Sequence, residues 1–486
     1  MDEEDFSFED GKRDFDEIIE LSDFSTRTAK DMTTKAARLE WWEAREALDN
    51  RLKELLINIE NIWLGGFRGI FSQHPRDPTL QAKFRKSFET ILDRHLPSRR
   101  GKASPKKAAL DPRVLDLFIG LGDATDEELD LDEALMDLVY FVVDILQFQG
   151  EHNAYDEIDF DAMVIETLDA LRAYHSAHHG EGSAATHTIL ILDKHLHIFP
   201  WESIPCLQSL SISRLPSLQA LRERILVAKA STTEDARPGH HISTAAGGTS
   251  ILNPSGDLNH TLKTLKPRLS NMRGPWTHIS SRPPSESEFE SSLRDQSLLL
   301  YFGHGSGAQF VRSKSVRRLY PGKQATTPGC ATTLLFGCSS VHLTDNGIYE
   351  PSGMLASYLT AGAPAVLGML WDVTDKDCDR VAVRTGELWG LWEETEDENE
   401  KNKGAGKGKG KAKSVEVEGA RGRGRPRKIQ TRAESNEDGL EIDAGSGEKK
   451  RGVSLDEALR EARDTCVLRY LNGAAAVVYG IPVYLE

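Results

Sequence analysis

Apolar positions along the chain change their rhythm near residue 183. Before that point they recur at helical spacing. Within 28–63, Leu39, Trp42, Ala47, Leu52, Leu55 and Leu56 return every few residues among strong helix formers. This predicts a long amphipathic helix that ends at Gly65-Gly66. Further helices are expected from Pro78 to about residue 96, over 132–149 and over 159–178. Residues 1–25 hold many acids and scattered Phe without a clean period, and read as a disordered acidic tail. Residues 26–182 therefore read as an α-helical region whose Trp and Leu stripes are core rather than a binding box.

Past 183 the apolar residues come in short continuous runs. These lie after residue 186 and at 249–253, 297–302, 332–337 and 364–371. Continuous rather than alternating apolarity predicts strands covered on both faces. Helical stretches fit between them at 216–228, 285–295, 351–360 and 376–389. The alternation predicts an α/β domain with a mainly parallel sheet over 183–486. Residues 393–452 interrupt it with an acidic stretch, then a Gly/Lys/Arg-rich one, and read as a disordered basic insertion. Structure is expected to resume at 454–464, where Ser454 and Glu457 have capping-box spacing, and to close with strand material at 474–486.

Charge sharpens this picture. The formal net charge is −16, yet residues 401–432 hold twelve Lys or Arg against two Glu. An acidic body with a basic strap suits a protein that meets a partner through one segment, or simply one kept soluble by its charge. The five cysteines show neither CxxC pairing nor metal spacing. A disulfide framework is not expected, a reducing compartment is, and no metal or organic cofactor is implied. The chain has no apolar run long enough to span a membrane, and its acidic N-terminus does not read as a signal or transit peptide.

Two strand ends carry candidate chemistry. His304 follows the run ending at Phe302 and lies between Gly303 and Gly305; Cys338 follows Gly337 at the end of another run. Ligands of open α/β sheets sit beyond the carboxyl ends of strands, and the glycines allow close backbone approach. A thiolate with a nearby imidazole is a nucleophile with its base. The backbone N–H groups of Gly305 and Cys338 are candidates for an oxyanion hole. A buried structural cysteine and a satisfied histidine form the blander alternative. On residues alone, the pair supports a cysteine hydrolase or acyl-transfer site.

The segments FGHGSG at 302–307, LLFGCSS at 334–340 and LWDVTDKDCDR at 370–380 together resemble the separase family of caspase-like cysteine peptidases. WESIP at 201–205, NPSGDL at 253–258 and the closing YGIPVYL fit the same family. The resemblance implies a caspase-like mainly parallel sheet flanked by helices, preceded by an α-helical region, with His304 and Cys338 as the catalytic pair. It implies cleavage of cohesin's kleisin subunit after arginine in Glu-x-x-Arg sites, releasing sister chromatids at anaphase. Securin is the implied inhibitor, and the implied location is nucleus and cytoplasm, with chromosome association in mitosis.

A P1 arginine needs a carboxylate, since a guanidinium pairs best with a planar anion. Asp372, Asp375, Asp377 and Asp379 are the candidates, Asp372 first and Asp379 second. Trp371 could flank the arginine by cation–π contact, and Asp375 is the expected helix cap. Asn253 and Asp257 sit in a turn by composition; they close a strand or brace the loops of the site. In the insertion, Glu418 and Arg421 fit a self-cleavage site, and Arg423 to Lys428 resembles a minor-groove-binding hook, so 421–428 could contact DNA. The rival function is an inactive caspase-like binding module on chromatin.

Overall fold

The computed structural model describes residues 6–73, 77–100, 107–126, 129–178, 186–231, 236–322, 325–393 and 452–486. The chain opens on helix α1 (Phe8–Thr28), capped by a box in which Ser7 and Asp10 serve each other's backbone N–H. Gly11, Phe15, Ile18 and Ser22 form its buried stripe. The expectation of a disordered 1–25 tail is thus corrected for residues 6–25: acids such as Glu9, Glu17 and Glu20 are exposed on α1 while Phe15 and Ile18 enter the core at helical spacing. Helix α2 (Lys35–Asn58) packs on α1 and buries Leu52, Leu55 and Leu56. Arg45, fully buried, donates to Ser22 O of α1 and to Asn472 Oδ1.

Helices α3 (Pro78–His95), α4 (Pro97–Arg100), α5 (Pro112–Ile119), α6 (Asp132–Phe148) and α7 (Phe160–Ala177) follow. Their core is separate and includes Phe88, Phe118, Leu135, Val142 and Leu171. Helices α1 and α2 instead share the core of the sheet. The helical region expected over 26–182 is therefore split between two cores. Gly66 marks a close approach, because a Cβ there would lie 2.3 Å from the Ala134 carbonyl oxygen.

The sheet has eight strands in the order β1 (Thr188–Ile191), β2 (Ile212–Leu215), β11 (Ala476–Gly480), β10 (Ala365–Met369), β7 (Thr332–Phe336), β6 (Leu298–Phe302), β4 (Gly248–Leu252), β5 (Trp276–Ser280). Every neighbouring pair is parallel except β10 with β11. Strands β4, β6, β7, β10 and β11 are buried along their whole length, as their unbroken apolar runs predict. Strand β3 (His240–Ile242) pairs with β12 (Val483–Leu485), and β8 (Thr344–Asn346) with β9 (Tyr349–Ser352).

The remaining helices are α8 (Leu218–Ser231), α9 (Asn259–Ser270), α10 (Glu286–Arg294), α11 (Ser313–Arg317), α12 (Met354–Thr360), α13 (Asp375–Trp389) and α14 (Leu455–Ala462). Helix α14 carries the capping box of Ser454 and Glu457. Helix α9, strand β5 and the β8–β9 hairpin have no counterpart in the apolar pattern. WESIP forms a 3-10 turn whose Glu202 makes a fully buried two-pronged pair with Arg214 at 2.7 and 2.6 Å. Arg214 also donates to the carbonyls of His197 and Phe199, so that motif is a brace inside the fold. Residues 394–451, which hold nearly all of the predicted basic insertion, lie outside the described residues.

Candidate active site

The site is built at the carboxyl ends of β4, β6 and β7. Strands β6 and β7 are parallel neighbours in the register Phe302↔Phe336. His304 and Cys338 each lie two residues past that pair, on strand ends about 4.8 Å apart in the hydrogen-bonding direction. The two loops touch through backbone: a Cβ on Gly337 would lie 2.4 Å from both the Gly303 and the Gly305 carbonyl oxygens. Glycine is required at 337 for this contact, and Gly305 adopts φ +62 with open space at its Cβ position.

The His304 backbone is pinned by Tyr301, whose hydroxyl donates to the His304 carbonyl at 2.7 Å, and by Gln309 at 3.0 Å. Its exposed imidazole meets Asp257, with Nε2 2.9 Å from Oδ2. Asp257 comes from the turn after β4. There Asn253, at φ 51, receives the Leu258 N–H on its side chain and donates its own N–H to Phe302 O. NPSGDL therefore braces the histidine as well as closing a strand. Asp257 was legible only as one of those two options. With Nε2 held by a carboxylate, Nδ1 is the ring nitrogen left for a thiol.

Cys338 is half-buried, and its Sγ donates to Val373 O at 3.1 Å. Burial pushes the thiol up to about 11, and Asp372, Asp375 and Asp23 push the same way. The resting thiol therefore keeps its proton. Ser339 follows at φ 50 and donates its N–H to Trp371 O at 3.2 Å. This sharp turn lifts Cys338 off the strand. Among the described residues no backbone carbonyl takes the N–H of Gly305 or Cys338.

The acids after β10 divide. Asp372 is half-buried and accepts Ser339 Oγ at 2.5 Å. Asp375 is exposed at the first turn of α13; the cap position belongs to Thr374, which makes no side-chain cap bond, so the expected capping by Asp375 is corrected. Asp377 is buried and bonded to Asn472 Nδ2 at 2.6 Å. Asp379 is also buried, with His260 Nδ1 at 2.9 Å and Thr261 Oγ1 at 3.2 Å. Its place as second choice for a P1 arginine is corrected, because its carboxylate is committed inside the fold.

Trp371 is corrected likewise. It is 4% exposed, donates Nε1 to Leu471 O and packs edge-on against Phe15, so it is held inside the fold rather than presented beside the acids to flank a guanidinium. Asp23 on α1 went unseen because its segment read as disordered; the signal was the Ser7–Asp10 box ahead of a helical apolar stripe. Burial and the nearby Asp372 charge raise Asp23 to about 6, and its Oδ1 is buried with no hydrogen-bond partner among the described residues. Glu418, Arg421 and the 421–428 hook lie outside the described residues.

A thiol and an imidazole on adjacent parallel strand ends, with a carboxylate behind the imidazole, make up a candidate acyl-transfer site on an α/β sheet. The chain belongs to the separin protease-domain family, whose family model, "Separin, protease domain", matches residues 1–378. It is 46% identical over 486 residues to a separin of Emericella nidulans, covering 99% of this chain and 20% of that one. It is 36% identical over 485 residues to a separin of Schizosaccharomyces pombe, covering 100% and 22%. The crystal structure of the Saccharomyces cerevisiae separase–securin complex at 2.6 Å superposes with a TM-score of 0.78 at 31% identity, covering 99% of this chain and 28% of that one. The chain thus spans about a fifth of the length of the curated relatives it matches. The expected mainly parallel α/β architecture is observed and shared with that solved structure.

Proposed function

We propose that this chain is the catalytic part of a separase-type cysteine endopeptidase that cuts after arginine in Glu-x-x-Arg sites of cohesin's kleisin subunit, and so releases sister chromatids at anaphase. The observation that carries the reading is the placement of Cys338 beside His304, with Asp257 on the far ring nitrogen. In the mechanism His304 Nδ1 takes the Cys338 proton as Sγ attacks the scissile carbonyl carbon. The Gly305 and Cys338 N–H groups receive the oxyanion. The Asp257 carboxylate offsets the imidazolium charge and fixes the ring. His304 then returns the proton to the leaving amine, and water hydrolyses the thioester by the same base.

The P1 guanidinium is assigned to Asp372 and Asp23, with Asp375 beside them. The unpartnered Asp23 oxygen supports this, because a buried acceptor without a donor is costly and an arginine supplies one. Securin is the proposed inhibitory partner, on the strength of the separase–securin complex this chain resembles.

The test is cleavage of a Glu-x-x-Arg peptide by the wild type and by Cys338→Ser. Cutting after arginine by the wild type alone is the expected result. Folded wild type that neither cuts nor is labelled by an arginyl electrophile would favour the inactive binding module instead.

A further inference from the structure

A cavity of about 170 Å³ lies beside the nucleophile loop and takes no part in the chemistry above. Phe15 and Ile19 of α1, Ile198, Val341, Leu343 and Trp371 supply apolar walls. Asp16, Glu20 and His342 stand among its polar lining, with Glu20 and His342 exposed.

Three connections join this cavity to the site. Val341 lies three residues past Cys338 and donates its N–H to Met369 O at 3.1 Å. Trp371 receives the Ser339 N–H and precedes Asp372. Ile19 lies one helical turn before Asp23 on α1. At about 1.5 Å rise per residue, Ile19 and Phe15 sit roughly 6 and 12 Å along α1 from Asp23. An extended peptide advances about 3.3 Å per residue. A side chain about two to four residues from the P1 arginine is therefore at the distance of the cavity.

We propose that this cavity is a specificity subsite that takes one apolar side chain of the substrate peptide, about two to four residues from the arginine and at a position other than the glutamate of Glu-x-x-Arg. The proposal rests on the peptidase reading of Cys338. An apolar cavity of about 150 Å³ accepts a benzene-sized group, so Leu, Ile, Val and Phe fit here. Exposed Glu20 turns away an acidic side chain at the same position, whereas Asp16 is paired with Lys12 at 2.6 Å. Continuity with the nucleophile loop and with the helix that carries Asp23 makes the occupant the peptide being cut rather than an unrelated ligand.

The experiment uses the full chain and a peptide series with arginine fixed at P1 and the glutamate of Glu-x-x-Arg kept, each other position within four residues of the arginine set in turn to Ala, Leu, Phe or Asp. An arginyl amide without extension is assayed alongside. One position should favour Leu or Phe over Ala by roughly tenfold or more in kcat/KM, carried by KM, and should disfavour Asp. Ile19→Trp, which fills the cavity, and Leu343→Glu, which charges its wall, should each bring the Leu-to-Ala ratio at that position close to one. The ratio is internal to each variant, so a partial loss of fold does not imitate the result. A flat series in the wild type, or a ratio untouched in both variants, overturns the subsite while cleavage after arginine stands. Wild type that turns over neither peptide nor arginyl amide overturns the peptidase reading and the subsite with it.

Discussion

Asp257 meets His304 through one contact. Its Oδ2 lies 2.9 Å from His304 Nε2, and both side chains are exposed, 60% and 49%. Water screens such a pair, so the charge alone is worth about a factor of two to five in rate; holding the ring with Nδ1 toward Cys338 adds to that. Asp257→Asn should therefore lower kcat several-fold with KM little changed, and Asp257→Glu should recover part of the loss. Steady-state kinetics on an arginyl peptide read both. An equal fall in all variants together with a lower Tm would mark the contact as structural only. The placement of His304 and Cys338 at neighbouring strand ends was legible because each is set beside glycine at the end of an apolar run. Asp257 was half-legible: composition marks a turn, but nothing local says which side chain the turn aims at. Trp371 and Asp379 misled for the opposite reason. Their types suit an arginine site, but burial is set by α1, α9 and the C-terminal segment, all distant in sequence.

Among the elements, α1 departs most from its sequence reading. A segment dense in acids has few apolar side chains to bury, so composition argues for disorder. The buried stripe of Phe15, Ile18 and Ser22 is narrow, and its partners are the aromatic residues Phe199 and Trp371 far along the chain. The helix brings Asp23 close enough to Cys338 to act on its thiol. Asp23 sits near 6 in the free protein, against an ordinary 3.8, because of burial first and Asp372 second. Below that pH it holds a proton and cannot pair with a guanidinium. Affinity for an arginyl peptide or aldehyde should rise as pH climbs through about 6, and Asp23→Asn should flatten the step and weaken binding about tenfold or more. Stability runs the other way. An acid raised in the folded state favours folding when protonated, and that contribution is lost as pH rises from about 4 to about 6. Asp23→Asn should thus raise Tm at pH 8 while it weakens binding. Inhibition constants and thermal melts across pH 5–8 decide it, and a variant that loses Tm at pH 8 would contradict the assignment.

At the scale of the whole molecule, the last described segment is not an appendage. β11 lies between β2 and β10 in the middle of the sheet, and α14 packs on α13. Leu455, Leu459, Leu468, Leu471, Val477, Val478 and Val483 are each at most 2% exposed. Asp456 reaches back to His187 at 2.7 Å, and Trp389 donates to Val483 O at 2.9 Å. The apolar runs made β11 legible as strand material, but its antiparallel place beside β10 depends on a return of the chain that no local pattern encodes. The consequence is that residues 452–486 should stay bound when the chain is cut anywhere in 394–451. Each buried side chain contributes about 1.5–3 kcal/mol, and releasing the segment would expose all of them, take one neighbour each from β2 and β10 and leave β3 unpaired. A site for an unrelated protease placed near Arg421 should yield two pieces that co-elute on gel filtration and keep the activity of the uncut chain. They should separate only under denaturant, near the unfolding midpoint of the whole molecule. If the small piece left at micromolar concentration in buffer, the central strand would not be held as the sheet order requires. If the intact chain produced the same fragment unaided and Arg421→Glu abolished it, the enzyme would be its own processing protease at that bond, with the two-chain form as its stable product.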